Sequence, residues 1–290
     1  MTMPQESFPQ DESEPLLPES PEEMEKLRIK TECREFIESN KEKISDALLH
    51  LVKDYKFVLV GEGHFPEVEP IRQEIAKCLV ELQKTGLTNI VLELDIRDQD
   101  IIDNLDYSDP NIKDVLKSKI KAPGWFDGNF DILIEAKRTG LKVQLIDCTY
   151  KELPGYPKTG HRGNTTLVNN SRDEKMFSNI KLKTHEDSKT LVFIGSRHVH
   201  KKIIEKNIKK NKEVKRLGTH LAEEYGDKEV ASVRFVGRSM KFDNLVSARS
   251  KTPSPEDLYD KQNEPVILPD KGPIRGDETA SAADYIITII

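Results

Sequence analysis

Four short segments of this chain carry the residue types from which acid–base chemistry is built. Gly61-Glu62-Gly63-His64 places a carboxylate and an imidazole two residues apart; Glu93 stands inside the apolar run NIVLEL, with Asp95 just after it; Asp147 closes KVQLID; and Gly195-Ser196-Arg197-His198 follows TLVFI. An imidazole titrating near ~6.5 accepts a proton at neutral pH. His64 is therefore expected to act as general base on a water molecule, with Glu62 or Glu93 orienting it or holding its charge. Arg172 would stabilise an oxyanion, and His198 would position water or protonate a leaving group. Together these residues describe a hydrolase of an ester, lactone or amide bond.

The same side chains support a metal variant. His64 and His198 with Glu62 or Glu93 make a two-histidine, one-carboxylate set, and nitrogen and oxygen donors without thiolate favour Mn, Co, Fe or Zn over copper(I). No compact HExxH supports it locally. Each residue also has a structural reading. Glu93 in an apolar run must be partnered by Arg, His or a metal, because an unpaired buried carboxylate is costly. Arg172 could equally bridge to Glu93 or Asp173, Asp147 could terminate its strand or cap a turn, and a single histidine after a strand is often only a hydrogen-bonded structural residue.

The elements that must position these groups follow an α/β pattern. Strands are expected at Phe57 to Val60, Asn89 to Leu94, Lys142 to Asp147, Thr190 to Ile194, Val230 to Val236 and Tyr285 to Ile290. The first four are nearly continuous apolar runs, as in a parallel sheet covered on both faces. Val68 to Lys84 repeats apolar residues at Ile71, Ile75, Leu79 and Leu82, the spacing of one helix face, and Gly86 follows as a stop. Further helices are expected at Ile29 to Tyr55, Asn129 to Thr139, Arg172 to Lys183 and Lys215 to Tyr225. The fold class is thus a mostly parallel central sheet flanked by helices, and the ionisable groups gather beyond the carboxyl ends of its strands, where such sheets bind ligands. If its strand continues, Glu62 and His64 share one side. Cys148 to Asn170 is long and turn-rich, the character of a lid or binding loop, and Ser250 to Gly276 is similarly irregular. Trp125, the single tryptophan, reads as a packing anchor or a wall of the cleft. His200 is either a further site histidine or the start of the next helix.

Composition bounds the alternatives. Of 290 residues, 36% are hydrophobic and 33% charged, and no apolar stretch is long enough for a membrane span. The formal charge of −6 hides an uneven distribution: residues 1–25 carry eight acidic groups, five prolines and no Lys or Arg. That leader is expected to be disordered, followed by a single α/β domain over residues 26–290, and the absence of a secretory signal points to the cytoplasm. Three widely spaced cysteines without CxxC suggest buried thiols rather than disulfides or a thiolate zinc site. Lys201 to Arg216 has eight basic and two acidic residues. With neither interleaved aromatics nor a phosphate loop it reads as a solvated surface, so a small molecule rather than a specific nucleic acid is the expected partner.

The ordered set Gly61-x-x-His64, Glu93, Ser171-Arg172-Asp173 with Met176, and Gly195-x-x-His198 resembles the superfamily joining erythromycin esterase-like proteins, ChaN-like haem-binding proteins and the Tiki and TraB proteins. Arg216 to Val233 is similar to that group's segment after the second histidine. With Glu62 and His64 two apart, the spacing is closer to the ChaN and Tiki pattern than to the macrolide esterases. The esterase resemblance implies that the first histidine is a general base, the Tiki resemblance that both histidines bind metal. The ChaN resemblance implies a non-catalytic haem- or iron-compound-binding protein, for which Tyr150, Tyr156 and His161 on the long loop could serve as haem ligands.

Overall fold

A computed structural model describes residues 42–63, 68–121, 125, 127–148, 153–154, 165–183, 187–201, 206–207, 212–213, 215–235, 265–269 and 284–289, with isolated positions between 21 and 39. His64, the basic stretch for the most part, and the tyrosines and histidine of the long loop lie outside these residues, as does nearly all of the acidic leader.

The expected strands form one sheet. In chain order the elements are β1 (Glu42–Lys43), α1 (Ile44–Asp54), β2 (Phe57–Glu62), α2 (Glu69–Lys84), β3 (Leu87–Asp95), α3 (Gln99–Asp103), α4 (Ile112–Lys119), α5 (Asp127–Arg138) and β4 (Lys142–Asp147). Then follow α6 (Thr165–Lys183), β5 (Lys189–Gly195), the two-residue strands β6 (Lys206–Asn207) and β7 (Lys212–Glu213), α7 (Leu217–Tyr225), β8 (Val230–Phe235), β9 (Pro265–Pro269) and β10 (Tyr285–Ile289). The large sheet runs β1-β9-β10-β8-β2-β5-β3-β4. From β10 to β4 every pairing is parallel, while β9 lies antiparallel to both of its neighbours. β5 is inserted between β2 and β3, so the segments that leave β2, β5, β3 and β4 emerge side by side from one rim, ~5 Å apart.

Strand parity sends side chains to two cores. Val58, Val60, Ile90, Leu92, Leu191 and Phe193 pack with α1, α2 and α5 on one face. Phe57, Leu59, Val91, Val192 and Ile194 meet Met176 and Ile180 of α6 and Leu217 and Leu221 of α7 on the other. Helix α2 begins with Pro70 in its first turn, where a missing N–H costs nothing, and buries Ile71, Ile75, Leu79 and Leu82. Each such side chain contributes roughly 1.5–3 kcal/mol of burial. Trp125 packs on this first core and meets Phe130 edge-on at 5.3 Å, the anchoring role.

Several boundaries depart from expectation. The helix expected over Ile29 to Tyr55 is interrupted, because Glu42 and Lys43 pair with Ile267 and Val266 of β9. β9 itself lies within Ser250 to Gly276, expected to be irregular. Helix α6 begins at Thr165, so Arg172 sits in its second turn rather than at its start. Two short helices, α3 and α4, fill the connection after β3. Cys78 and Cys148 are buried free thiols; burial pushes the first up to about 12 and the second up to about 11. Among the described residues no helix is long and apolar enough to cross a membrane.

Candidate functional site

Glu93 has the parity of Val91, so it turns toward α6, and there it finds its partner. Arg172 donates through Nη2 to Glu93 Oε1. It also grips Asp147 with two parallel bonds, Nε to Oδ1 at 2.8 Å and Nη2 to Oδ2 at 2.6 Å. The second Glu93 oxygen accepts from the backbone N–H of Gly195. A guanidinium held on one edge by two carboxylates has little rotational freedom. Its Nη1 is directed at His198 Nε2, 3.0 Å away, and Glu93 Oε1 lies 3.7 Å from the same nitrogen. Three strands and one helix thus bring Glu93, Asp147, Arg172 and His198 together at the carboxyl rim.

The other side of the imidazole is equally fixed. His198 Nδ1 lies 2.6 Å from Asp173 Oδ1, an oxygen that also accepts the Leu217 N–H at 3.0 Å, and Arg216 Nη1 stands 3.5 Å from Asp173 Oδ2. The His198 N–H donates to Gly195 O, and its carbonyl accepts from Gly218 N, both at 2.9 Å. The turn after β5 packs tightly against β2: a Cβ on Gly61 would lie 2.8 Å from both methyls of Val199, so glycine is required for that approach.

Glu62 is placed elsewhere. It follows the parity of Val58 and Val60 and points to the opposite face, accepting from Arg72 Nε at 2.6 Å and from Asn129 Nδ2 at 3.0 Å. Arg72 also donates to Glu69 and to Gly63 O, and Glu69 accepts the Gly128 N–H. Glu62 is therefore not brought to Glu93, Arg172 and His198. β2 ends at Glu62, and His64 lies outside the described residues. Of the bridges expected for Arg172, the one to Glu93 is formed, whereas Asp173 turns to His198 and Arg216 instead. Asp147 ends β4 and its Oδ1 accepts the Cys148 N–H at 2.8 Å, as weighed for it; its bond to Arg172 was not expected.

Asp173 and Arg72 were not singled out as site residues. Asp173 carried a signal, standing beside Arg172 in the Ser171-Arg172-Asp173 motif; Arg72, inside an amphipathic helix, carried none. Among the described residues no group of three or more His, Cys, Asp or Glu side chains could hold a metal ion. The donor chemistry agrees with that, because the cation between Glu93 and His198 is the guanidinium of Arg172. Of the expected metal set, Glu62 and His198 face opposite sides of the sheet, Glu93 lies 3.7 Å from His198 Nε2 with Arg172 bonded to both, and His64 lies outside the described residues.

No protein-family model matches the chain, and no curated protein matches it in sequence. Among solved structures, a Bacillus cereus protein matches with a TM-score of 0.54 at 15% identity, over 90% of this chain and 97% of that one. ChaN of Campylobacter jejuni, whose structure describes cofacial haem binding, matches with a TM-score of 0.47 at 13% identity over 85% and 92% of the two chains. The type III effector HopBA1 gives 0.46 at 14% identity over 85% and 93%. The likeness to the Bacillus protein shows a common fold and specifies no activity.

Proposed function

We propose that the protein is a hydrolase of an ester, lactone or amide bond, working at the carboxyl rim of the sheet with Arg172 and His198 at its centre. The observation that carries this is the 3.0 Å contact between Arg172 Nη1 and His198 Nε2, with Arg172 clamped by Glu93 and Asp147. A substrate carbonyl entering here takes over the Nη1 hydrogen bond, which leaves the imidazole lone pair to water. The water oxygen bonds to the carbonyl carbon while its proton passes to Nε2, and the fixed guanidinium offsets the charge that develops on oxygen. Collapse breaks the carbon–oxygen or carbon–nitrogen bond as Nε2 returns the proton to the leaving atom. One preorganised donor of this kind accounts for about 10²–10³ in rate.

This assignment gives His198 the base role that sequence gave to His64. No step is routed through a metal. The test is a screen of ester, lactone and peptide substrates with wild type, His198→Ala and Arg172→Lys. A turnover lost by at least 10²-fold in both variants is expected; turnover indifferent to both would remove this site from consideration.

A further inference from the structure

We propose that Asp173 is a positioning residue for this site, fixing the proton of His198 on Nδ1 and presenting the Nε2 lone pair to the reaction. For its catalytic part the proposal rests on the hydrolase assignment above; for the tautomer it does not.

Three observations lead to it. First, Asp173 is wholly buried, where a carboxylate is tolerable only if donors surround it. The chain supplies three: Leu217 N–H, Arg216 Nη1 and His198 Nδ1, the last at the shortest distance, 2.6 Å. Second, the far nitrogen of the same ring faces a group that can only donate. A guanidinium has no acceptor, so Nε2 must be the acceptor toward Arg172 and Nδ1 must carry the hydrogen toward Asp173. The two neighbours agree on a single tautomer. Third, Asp173 is tied to the start of α7, whose Gly218 N–H also holds the His198 carbonyl. A Cβ at Gly218 would lie 2.4 Å from Val199 O, so this junction admits no larger residue. The ring is thus fixed through its backbone and its Nδ1 from the same piece of chain.

The consequence for turnover follows from charge. When Nε2 takes the proton of water, positive charge appears on the ring beside a buried carboxylate already held in place by its donors, which needs no reorganisation to receive it. Asp173 itself neither gains nor loses a proton, the role an aspartate plays behind a catalytic histidine in hydrolases of other folds.

Long-range ¹H–¹⁵N spectra of protein labelled at histidine nitrogen test the first half in the wild type, with no substrate needed. His198, assigned by comparison with His198→Ala, is expected with Nδ1 protonated and Nε2 bare; a ring protonated on Nε2 overturns the proposal. Kinetics of Asp173→Asn test the second half. We expect a fall in kcat on the order of 10²–10⁴-fold with KM changed only a few-fold, and no further loss when Asp173→Asn is added to His198→Ala. A near-normal kcat in folded Asp173→Asn also overturns it. If no substrate is turned over, the hydrolase assignment fails while the spectra still decide the tautomer.

Discussion

The sheet carries two buried arginine–carboxylate clusters near the same rim, one on each face. On the α2 and α5 side, Arg72 is sealed among Glu62, Glu69, Asn129 and the Gly63 carbonyl, with side-chain exposures of 0% for Arg72 and 3% for Glu62. On the α6 side, Arg172, Glu93 and Asp147 keep 9%, 10% and 16%. Among the described residues the first contains no imidazole, and its buried Arg72–Glu62 pair ties β2 to α2, with Glu69 at 23% exposure on its edge. The second shares the same ionic bonding but adds His198 at Arg172 Nη1. Under the proposed function, what separates the two faces is therefore the polar group placed at the arginine's remaining edge rather than the ion pair itself.

The largest effect that would sharpen this contrast is on stability. Arg72→Met leaves the Glu62 carboxylate buried without its ionic partner, and such losses cost about 3–5 kcal/mol. Urea unfolding should show it, and Glu62→Leu added to Arg72→Met should recover most of it, since a well-packed apolar pair replaces an ion pair with little loss. A single variant costing under about 1 kcal/mol would mean that this cluster is not a structural lock. Next comes Arg172→Lys, which keeps the charge but cannot reproduce the two parallel bonds to Asp147. Here the loss belongs in kcat/KM, about 3 kcal/mol of transition-state stabilisation, with a smaller change in the unfolding midpoint. If the two variants instead lose stability and activity in the same proportion, the distinction between the faces collapses.

Much of this arrangement is legible in the sequence because continuous apolar runs can only be doubly covered strands. Lys142–Asp147 coincides with its expected limits, and Glu93 announces its partner by being a carboxylate in such a run. Which face a terminal residue takes was less accessible. Glu62 and His64 were expected on one side if β2 continued; the strand stops at Glu62, parity sends that carboxylate to Arg72, and His64 lies outside the described residues. Asp173 stood in the Ser171-Arg172-Asp173 motif, but what it does was not legible there for a related reason. Its importance lies in contacts to residues 25 and 44 positions away, and local pattern holds no trace of those. β9 escaped detection because a short strand bounded by two prolines, paired to a distant terminal strand, has little periodicity of its own.

A smaller effect probes how tightly the structural cluster is packed. A Cβ added at Gly128 would stand 2.5 Å from Arg72 Cβ and 3.1 Å from Glu69 Oε1. Neither can retreat without giving up a bond to Gly63 O or to the Gly128 N–H. Gly128→Ala should therefore cost about 2 kcal/mol in unfolding free energy while leaving kcat/KM of the folded protein close to wild type. A fall in kcat/KM out of proportion to stability would show that the two faces communicate.

The smallest effect lies beside His198. Burial, reinforced by the charges of Arg234, Arg216, His198 and Arg197, pushes the His200 imidazole down to about 3, and among the described residues its buried Nε2 has no hydrogen-bond partner. Below the ordinary histidine range the unfolded chain binds a proton that the folded protein refuses, so the unfolded state gains and stability falls as pH drops from about 6.5 toward 3. Near pH 5.5 this one group should account for about 1 kcal/mol. His200→Gln, which cannot titrate, should flatten that part of the stability profile in urea melts, whereas an unchanged slope would show that the ring takes up its proton inside the fold. Because His200 lies two residues from His198, a ring that stays neutral also keeps a second positive charge away from the nitrogen proposed to accept a proton.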